Sequence, residues 1–154
     1  MALEIERKFL VNEQLLPQAS QKINMMQAYL QTDPERTIRV RIADDQAYLT
    51  IKGKMVGIAR KEFEYPIPVK DARELAKLAV HSPIEKVRHY IVVDGRTWEV
   101  DFFEGINGGL VLAEIELSSE DEEISLPEWV REEVTGQVQY HNSYLAQHPY
   151  TKWK

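Results

Sequence analysis

The chain has 154 residues, of which 44% are hydrophobic and 29% charged, a balance typical of one globular domain spanning residues 1–154. It has no cysteine, so disulfides and thiolate metal sites are excluded, and a net charge of −6 argues against a general nucleic-acid binder. No apolar stretch approaches the roughly 18 residues that a membrane helix needs. Because the opening residues also carry charges, unlike a signal peptide, we expect a cytoplasmic protein with no membrane partner.

Alternation of polar and apolar residues dominates the chain and predicts eight β-strands. The predicted strands cover residues 3–11, 22–31, 36–43, 46–53, 58–67, 84–93, 96–103 and 110–118. Short turn signals such as Asp94-Gly95 separate several of them. Short turns favour antiparallel neighbours, so the predicted fold is α+β, mainly β, with one antiparallel sheet.

Two or three helices are predicted among these strands. The longest, over residues 68–80, shows helical spacing of apolar residues after a start signal at Pro68 and is expected to cover an apolar face of the sheet. Residues 125–134, with Pro127 at an early position, are predicted to form a short helix, and residues 142–147 are the candidate for a third.

One face of the predicted strands is almost entirely charged, because successive side chains of a strand point to opposite sides. The cations on this face are Lys8, Arg39, Arg41, Lys52, Arg60, Lys86 and Arg88. The carboxylates are Glu4, Glu6, Glu62, Glu64, Glu99, Asp101, Glu114 and Glu116. Most cations lie on the third, fourth and sixth strands, whereas carboxylate pairs lie on the first, seventh and eighth.

A charged strand face usually faces water, and alternation alone favours that interpretation. Segregation of the two signs and the small number of helices favour a curled sheet with its charged face inside. Each unpaired ion in a dry interior costs several kcal/mol, so such an interior must be hydrated and ready for a ligand. Carboxylates without cysteine or histidine suit Mg²⁺, Mn²⁺ or Ca²⁺, and clustered Arg and Lys suit a polyanion. Together they predict a site for a metal–phosphate complex.

The charged motifs resemble those of the CYTH superfamily, the triphosphate tunnel metalloenzymes. The opening EIERKFLV places Glu4, Glu6 and Lys8 in the family's Glu-x-Glu-x-Lys pattern. In chain order there follow RVR, LTIKG, RKEFE, EKVRHY, WEVDFFEG, LAEIEL and PEWVREEVTG, so the resemblance covers nearly the whole chain. It implies a closed eight-stranded antiparallel β-barrel, open at both ends, that hydrolyses a triphosphate, with inorganic tripolyphosphate the favoured substrate.

The resemblance also implies roles for individual residues. The expected ligands of Mg²⁺ or Mn²⁺, at two sites, are Glu4, Glu6, Glu62, Glu64, Asp101, Glu114 and Glu116. The expected triphosphate contacts are Lys8, Arg39, Arg41, Lys52, Arg60, Lys86 and Arg88. Tyr29 and Lys86 match positions with a catalytic part, although packing alone would also explain a tyrosine in a strand. The chain departs from the family at Gln137 and Gln139, so the resemblance does not establish a role for the C-terminal segment in binding phosphate.

Several alternatives remain open at this stage. The same fold allows an adenylate cyclase or a thiamine triphosphatase, and a polyphosphate-binding module without turnover would show the same charges. The four histidines show no metal spacing and are interpreted as ordinary polar residues. A homodimer is left open.

Overall fold

The computed structural model describes residues 3–153, which form nine β-strands and two α-helices. The strands are β1 (Leu3–Val11), β2 (Gln21–Gln31), β3 (Arg36–Ala43), β4 (Gln46–Gly53), β5 (Ala59–Ile67), β6 (Ile84–Val93), β7 (Arg96–Phe103), β8 (Val111–Glu116) and β9 (Val130–Glu133). The helices are α1 (Val69–Ala76) and α2 (Asn142–Gln147). Short 3₁₀ turns lie at Glu13–Leu15, Gly105–Asn107, Val138–Tyr140 and Tyr150–Lys152. In this part of the chain, no helix is long and apolar enough to cross a membrane.

Antiparallel pairing closes eight of the strands into a barrel. Their order around the ring is β5-β4-β3-β2-β6-β7-β8-β1, and β1 returns to β5 through Leu3 opposite Lys61 and Ile5 opposite Ala59. Alternation predicts the strands but cannot distinguish a closed barrel from an open sheet. The closed eight-stranded barrel implied by the family resemblance is confirmed.

The helix predicted over residues 125–134 is wrong, because this part of the chain contains the ninth strand. Residues Val130–Glu133 are extended and pair with the end of β1 at Phe9 and Val11, on the edge that β5 leaves free. The Arg7 guanidinium donates to both carboxylate oxygens of Glu133 at 2.9 and 2.8 Å, which fixes this register. Pairing with an unoccupied strand edge therefore outweighs the local helix signal.

Apolar clusters pack on the outer wall of the barrel and at one end of its inner face. Phe9, Trp98 and Trp129 form the outer cluster, with the Trp98 and Trp129 rings 5.3 Å apart and edge-to-face. The inner cluster contains Leu112 and Leu145 and so fixes α2 against the barrel, because Leu112 points to the same side of β8 as the cavity-lining glutamates. The rest of the inner face is left to polar and charged residues.

Helix α1 covers an apolar patch of the same outer wall, as its spacing predicts. Ala72 of the helix is buried against Val40 of β3 and Ala47 of β4. The turn between β6 and β7 is also as predicted: Asp94 and Gly95 have φ angles of 51° and 75°. Positive φ at both central residues is the geometry of a type I′ hairpin, which Asp-Gly favours.

Candidate active site

A cavity of about 170 Å³ runs into the barrel, and its wall is built almost entirely of charged and polar side chains. The predicted site residues that line it are Glu4, Glu6, Lys8, Tyr29, Arg39, Arg41, Lys52, Arg60, Glu62, Glu64, Lys86, Arg88, Glu114 and Glu116. They come from seven of the eight barrel strands, and alternation places them on the inner face of each. The closed barrel therefore brings together all of the predicted site residues except Asp101.

The cations on β3 and β6 are deeply buried. Arg39 is 6% exposed, Arg88 5% and Lys86 1%. Burial lowers the pKa of Arg41 to about 10, and repulsion by the neighbouring Arg39 and Arg88 adds to the effect. Concentrated positive charge of this kind costs free energy unless an anion neutralises it, so this wall suits a polyanion.

Asp101 lies behind the cations rather than on the cavity wall. Its carboxylate accepts hydrogen bonds from Lys86 Nζ at 2.7 Å and from Arg88 Nε and Nη2 at 2.8 and 2.9 Å. Burial raises the pKa of Asp101, but Arg88 and Lys86 outweigh it and lower the pKa to about 2. Both oxygens thus hold cations in place, and we revise the expected metal contact of Asp101 to a supporting role for Lys86 and Arg88.

The carboxylates meet at β1 and β8. Glu6 lies directly opposite Glu116 in the antiparallel register. Two like charges so placed repel unless a cation neutralises them. Burial, together with the charges of Glu114 and Glu4, raises the pKa of Glu6 well above its ordinary value. Burial acts in the same direction on Glu114, but Lys8, Arg88 and Lys86 outweigh it and depress the pKa of that carboxyl.

The donor set fits a hard divalent cation. Glu4, Glu6, Glu114 and Glu116 supply carboxylate oxygens, which Mg²⁺ and Mn²⁺ prefer. Within residues 3–153, however, no three Asp, Glu or His side chains converge closely enough to form a preassembled metal site. Lys52 Nζ instead donates to the two oxygens of Glu4 at 3.0 and 3.2 Å, so a metal at Glu4 must compete with this lysine.

The family model of the CYTH domain matches residues 2–149 of this chain. The chain belongs to the CYTH family. It is 43% identical to an inorganic triphosphatase of Acetivibrio thermocellus over 155 residues, covering 100% of this chain and 99% of that protein. It is 34% identical to an inorganic triphosphatase of Nitrosomonas europaea, covering 93% and 96% of the two chains.

A solved structure shows the same CYTH barrel. The crystal structure of an inorganic triphosphatase superposes with a TM-score of 0.68 at 33% identity, covering 95% of each chain. A protein from Hippeastrum, described as a putative adenylyl cyclase with a dominant triphosphatase activity, has a TM-score of 0.56 at 16% identity. At that identity, the second likeness shows the shared fold alone.

The C-terminal segment reaches the CYTH cavity, which sequence analysis missed. His141, Asn142 and Ser143 line the wall, and Lys8 Nζ donates to the Tyr140 carbonyl oxygen at 3.0 Å. Burial, together with the positive charges of Lys8, Arg60 and Lys52, lowers the pKa of His141 to about 4. The segment lies more than 130 residues from Lys8 along the chain, so strand alternation carried no signal for it.

Polar residues between the charges were also missed. Thr37 and Thr50 line the cavity, and the Thr50 hydroxyl donates to Glu64 Oε2 at 2.9 Å. Glu99, which was predicted on the charged face but not among the expected ligands, lines it too, within 3.3 Å of Arg88 Nη1. Gln27 is completely buried beside the cavity and accepts from Arg41 Nε at 2.7 Å. Its position on the inner face of β2, two residues before Tyr29, is the signal that would have found it.

Proposed function

We propose that this protein hydrolyses inorganic triphosphate inside the barrel in the presence of Mg²⁺ or Mn²⁺. The observation that carries the proposal is that two clusters of opposite charge line one cavity. The cations of β3, β4 and β6 suit three linked phosphates, and the carboxylates of β1 and β8 suit the accompanying metal. Two relatives named inorganic triphosphatases, which match 100% and 93% of this chain, support it.

The residues of the cavity divide the work in this proposal. Arg39, Arg41 and Arg88 neutralise and align the phosphate oxygens, which is the main demand of phosphoryl transfer. Water attacks the terminal phosphorus, the bridging P–O bond breaks, and orthophosphate and pyrophosphate are released. Lys86 lies beside the cations with its third N–H free for a phosphate oxygen, and Tyr29 lies on the same wall.

Two divalent cations are proposed, held by the carboxylates of β1 and β8 with Glu62 and Glu64 of β5. A bound divalent ion would neutralise phosphate charge and lower the pKa of a bound water. The position of Glu6 opposite Glu116 and the raised pKa of Glu6 support a cation at this place.

The lining of the cavity favours inorganic triphosphate over nucleotides or thiamine triphosphate. Among the described residues that line it, Tyr29 and His141 are the aromatic side chains, and Tyr29 is only 5% exposed. A purine or thiazolium ring binds most readily to an apolar or stacking surface. The cavity offers charge to phosphate along its whole length and little surface of that kind.

A phosphate-release screen tests the proposal. The purified protein is given tripolyphosphate, ATP, thiamine triphosphate or longer polyphosphate, with Mg²⁺, Mn²⁺ or Ca²⁺ in turn. We expect the fastest release from tripolyphosphate, and its loss in Glu116→Ala but not in Glu132→Ala, which changes an exposed carboxylate of β9. Tight binding of tripolyphosphate without release would instead identify a binding module.

Two further expectations remain proposals. We propose a cytoplasmic location, where small phosphate anions are available, and cell fractionation tests it. The homodimer left open by the sequence is tested by light scattering of the purified protein at several concentrations, which decides between monomer and dimer.

A further inference from the structure

A buried pair of amide side chains, Gln27 and Asn142, connects the phosphate-facing cations of two strands. Gln27 lies on β2 and is completely buried, and Asn142 is the first residue of α2. Gln27 Nε2 donates to Asn142 Oδ1 at 3.0 Å, across 115 residues of sequence. Neither residue belongs to the charged motifs, and strand pairing does not require the contact.

The donor and acceptor of each hydrogen bond in this connection follow from the chemistry of the two cations. A guanidinium or an ammonium group only donates hydrogen bonds. Arg41 Nε and Nη2 donate to Gln27 Oε1 at 2.7 and 2.5 Å, so the Gln27 amide must present its nitrogen to Asn142. Lys86 Nζ donates to the same Asn142 oxygen at 3.2 Å, which forces Asn142 to present oxygen to both partners. The contacts therefore run in one direction, from Arg41 through Gln27 to Asn142, where they meet Lys86.

Two hydrogen bonds fix the orientation of the Lys86 ammonium group. An ammonium group has three N–H bonds in tetrahedral arrangement, so fixing two of them fixes the direction of the third. Asp101 Oδ2 accepts one at 2.7 Å and Asn142 Oδ1 accepts another at 3.2 Å. Lys86 lines the cavity, so the remaining N–H is the one available to a phosphate oxygen. Without Asn142, the ammonium group could rotate about its single contact with Asp101.

We propose that Asn142, held by Gln27, is a positioning residue for Lys86, through which the C-terminal segment completes the phosphate site. The inference rests on the proposed triphosphatase function. It assigns to α2 a part in aligning the reacting phosphate through Lys86, because Asn142 lies at the start of that helix. A displacement of the Lys86 ammonium group by about 1 Å is enough to reduce turnover roughly a hundredfold.

Three substitutions at position 142 test the proposal by steady-state kinetics on tripolyphosphate. Asn142→Ala removes the acceptor, and we expect kcat to fall about tenfold or more. Asn142→Leu keeps the volume of the side chain without the acceptor and should show the same loss, which guards against a packing defect. Asn142→Asp keeps an isosteric acceptor and should restore kcat to within about threefold of wild type, whereas KM rises because a negative charge now faces phosphate.

Controls separate this inference from the proposed function. Gln139→Ala changes an exposed amide of the same segment and should leave kcat and KM unchanged. Wild-type protein that releases no phosphate would overturn the triphosphatase proposal. In that case the positioning role of Asn142 is tested by calorimetric binding of tripolyphosphate without metal. We expect binding about threefold weaker for Asn142→Ala than for Gln139→Ala. Equal kcat for Asn142→Ala and Gln139→Ala overturns the positioning role, and so does an equal loss of kcat in Asn142→Asp and Asn142→Ala. If the wild-type protein has no activity, equal affinity of Asn142→Ala and Gln139→Ala for tripolyphosphate overturns it.

Discussion

Lys86 Nζ lies 2.7 Å from Asp101 Oδ2, and both side chains are only 1% exposed. Burial lowers the pKa of Lys86 to about 7, helped by the positive charges of Arg88 and Arg41 and opposed by the carboxylate of Asp101. The pair joins neighbouring strands β6 and β7 at the base of the phosphate-binding wall. Asp101 thus opposes the loss of the Lys86 charge and holds the ammonium group in place beside the cavity.

Asp101→Asn tests this relationship. Removing one partner of a buried ion pair leaves uncompensated charge, and we expect the free energy of unfolding in urea to fall by about 3–5 kcal/mol. Asp71→Asn, on the exposed side of α1, should change it by less than about 0.5 kcal/mol. If Asp101 were a metal ligand, the substitution would weaken metal binding and leave stability nearly unchanged.

Metal binding should depend on pH through Glu6. Because burial and the neighbouring carboxylates raise the pKa of Glu6, this group still holds its proton above the ordinary range of a carboxyl. A metal ligand must be ionised, so metal affinity should rise with pH as Glu6 loses its proton, and activity should favour neutral to alkaline conditions.

Calorimetry in buffers of different ionisation enthalpy measures this coupling as proton release on Mn²⁺ binding. Glu6→Gln should abolish the release and weaken Mn²⁺ binding, whereas Glu132→Gln should change neither. Mn²⁺ affinity that stays constant from about pH 5 to about pH 8 would count against Glu6 as a ligand.

Lys52 should compete with metal for Glu4. Its ammonium group donates to both oxygens of Glu4, and Glu62 lies 3.5 Å away. Lys52→Met removes the competing cation, so we expect Mn²⁺ to bind about fivefold more tightly in the absence of substrate, a change of about 1 kcal/mol.

The same variant should bind tripolyphosphate more weakly, because a phosphate-facing charge is lost. Lys54→Met is the matched control, since Lys54 is exposed and pairs only with Glu35 among the described residues. Weaker Mn²⁺ binding by Lys52→Met would show that Lys52 supports the metal site instead of opposing it.

Strand alternation was enough to predict the eight strands and almost every charged residue on their shared face, whereas closure into a barrel was implied by the family resemblance. The period of two is a local property of the sequence, so alternation alone places residues such as Arg39 and Arg41 on the same face of their strand. Alternation could not show how far a side chain lies from the cavity, so Asp101 was grouped with the expected metal ligands although it lies behind the wall. Contacts across the chain carry no local signal, which explains why Asn142 was missed and why β9 was predicted as a helix.

The apolar shell outside the barrel should carry stability with little effect on turnover. Trp98 is 1% exposed and packs against Phe9 and Trp129 on the outer face. Trp98→Ala should lower the free energy of unfolding by roughly 3–5 kcal/mol, measured in urea. At a temperature where the variant remains folded, its kcat should match that of Val92→Ala, a substitution at an exposed strand position. A large loss of kcat in the folded Trp98→Ala protein would contradict this separation.

A crystal structure with tripolyphosphate and Mn²⁺ tests most directly whether the inward-facing charges form one site. We expect the phosphates beside Arg39, Arg41 and Arg88, and anomalous manganese signal between the carboxylates of β1 and β8. Phosphate and manganese bound on the outer wall, with the cavity holding only water, would contradict the account.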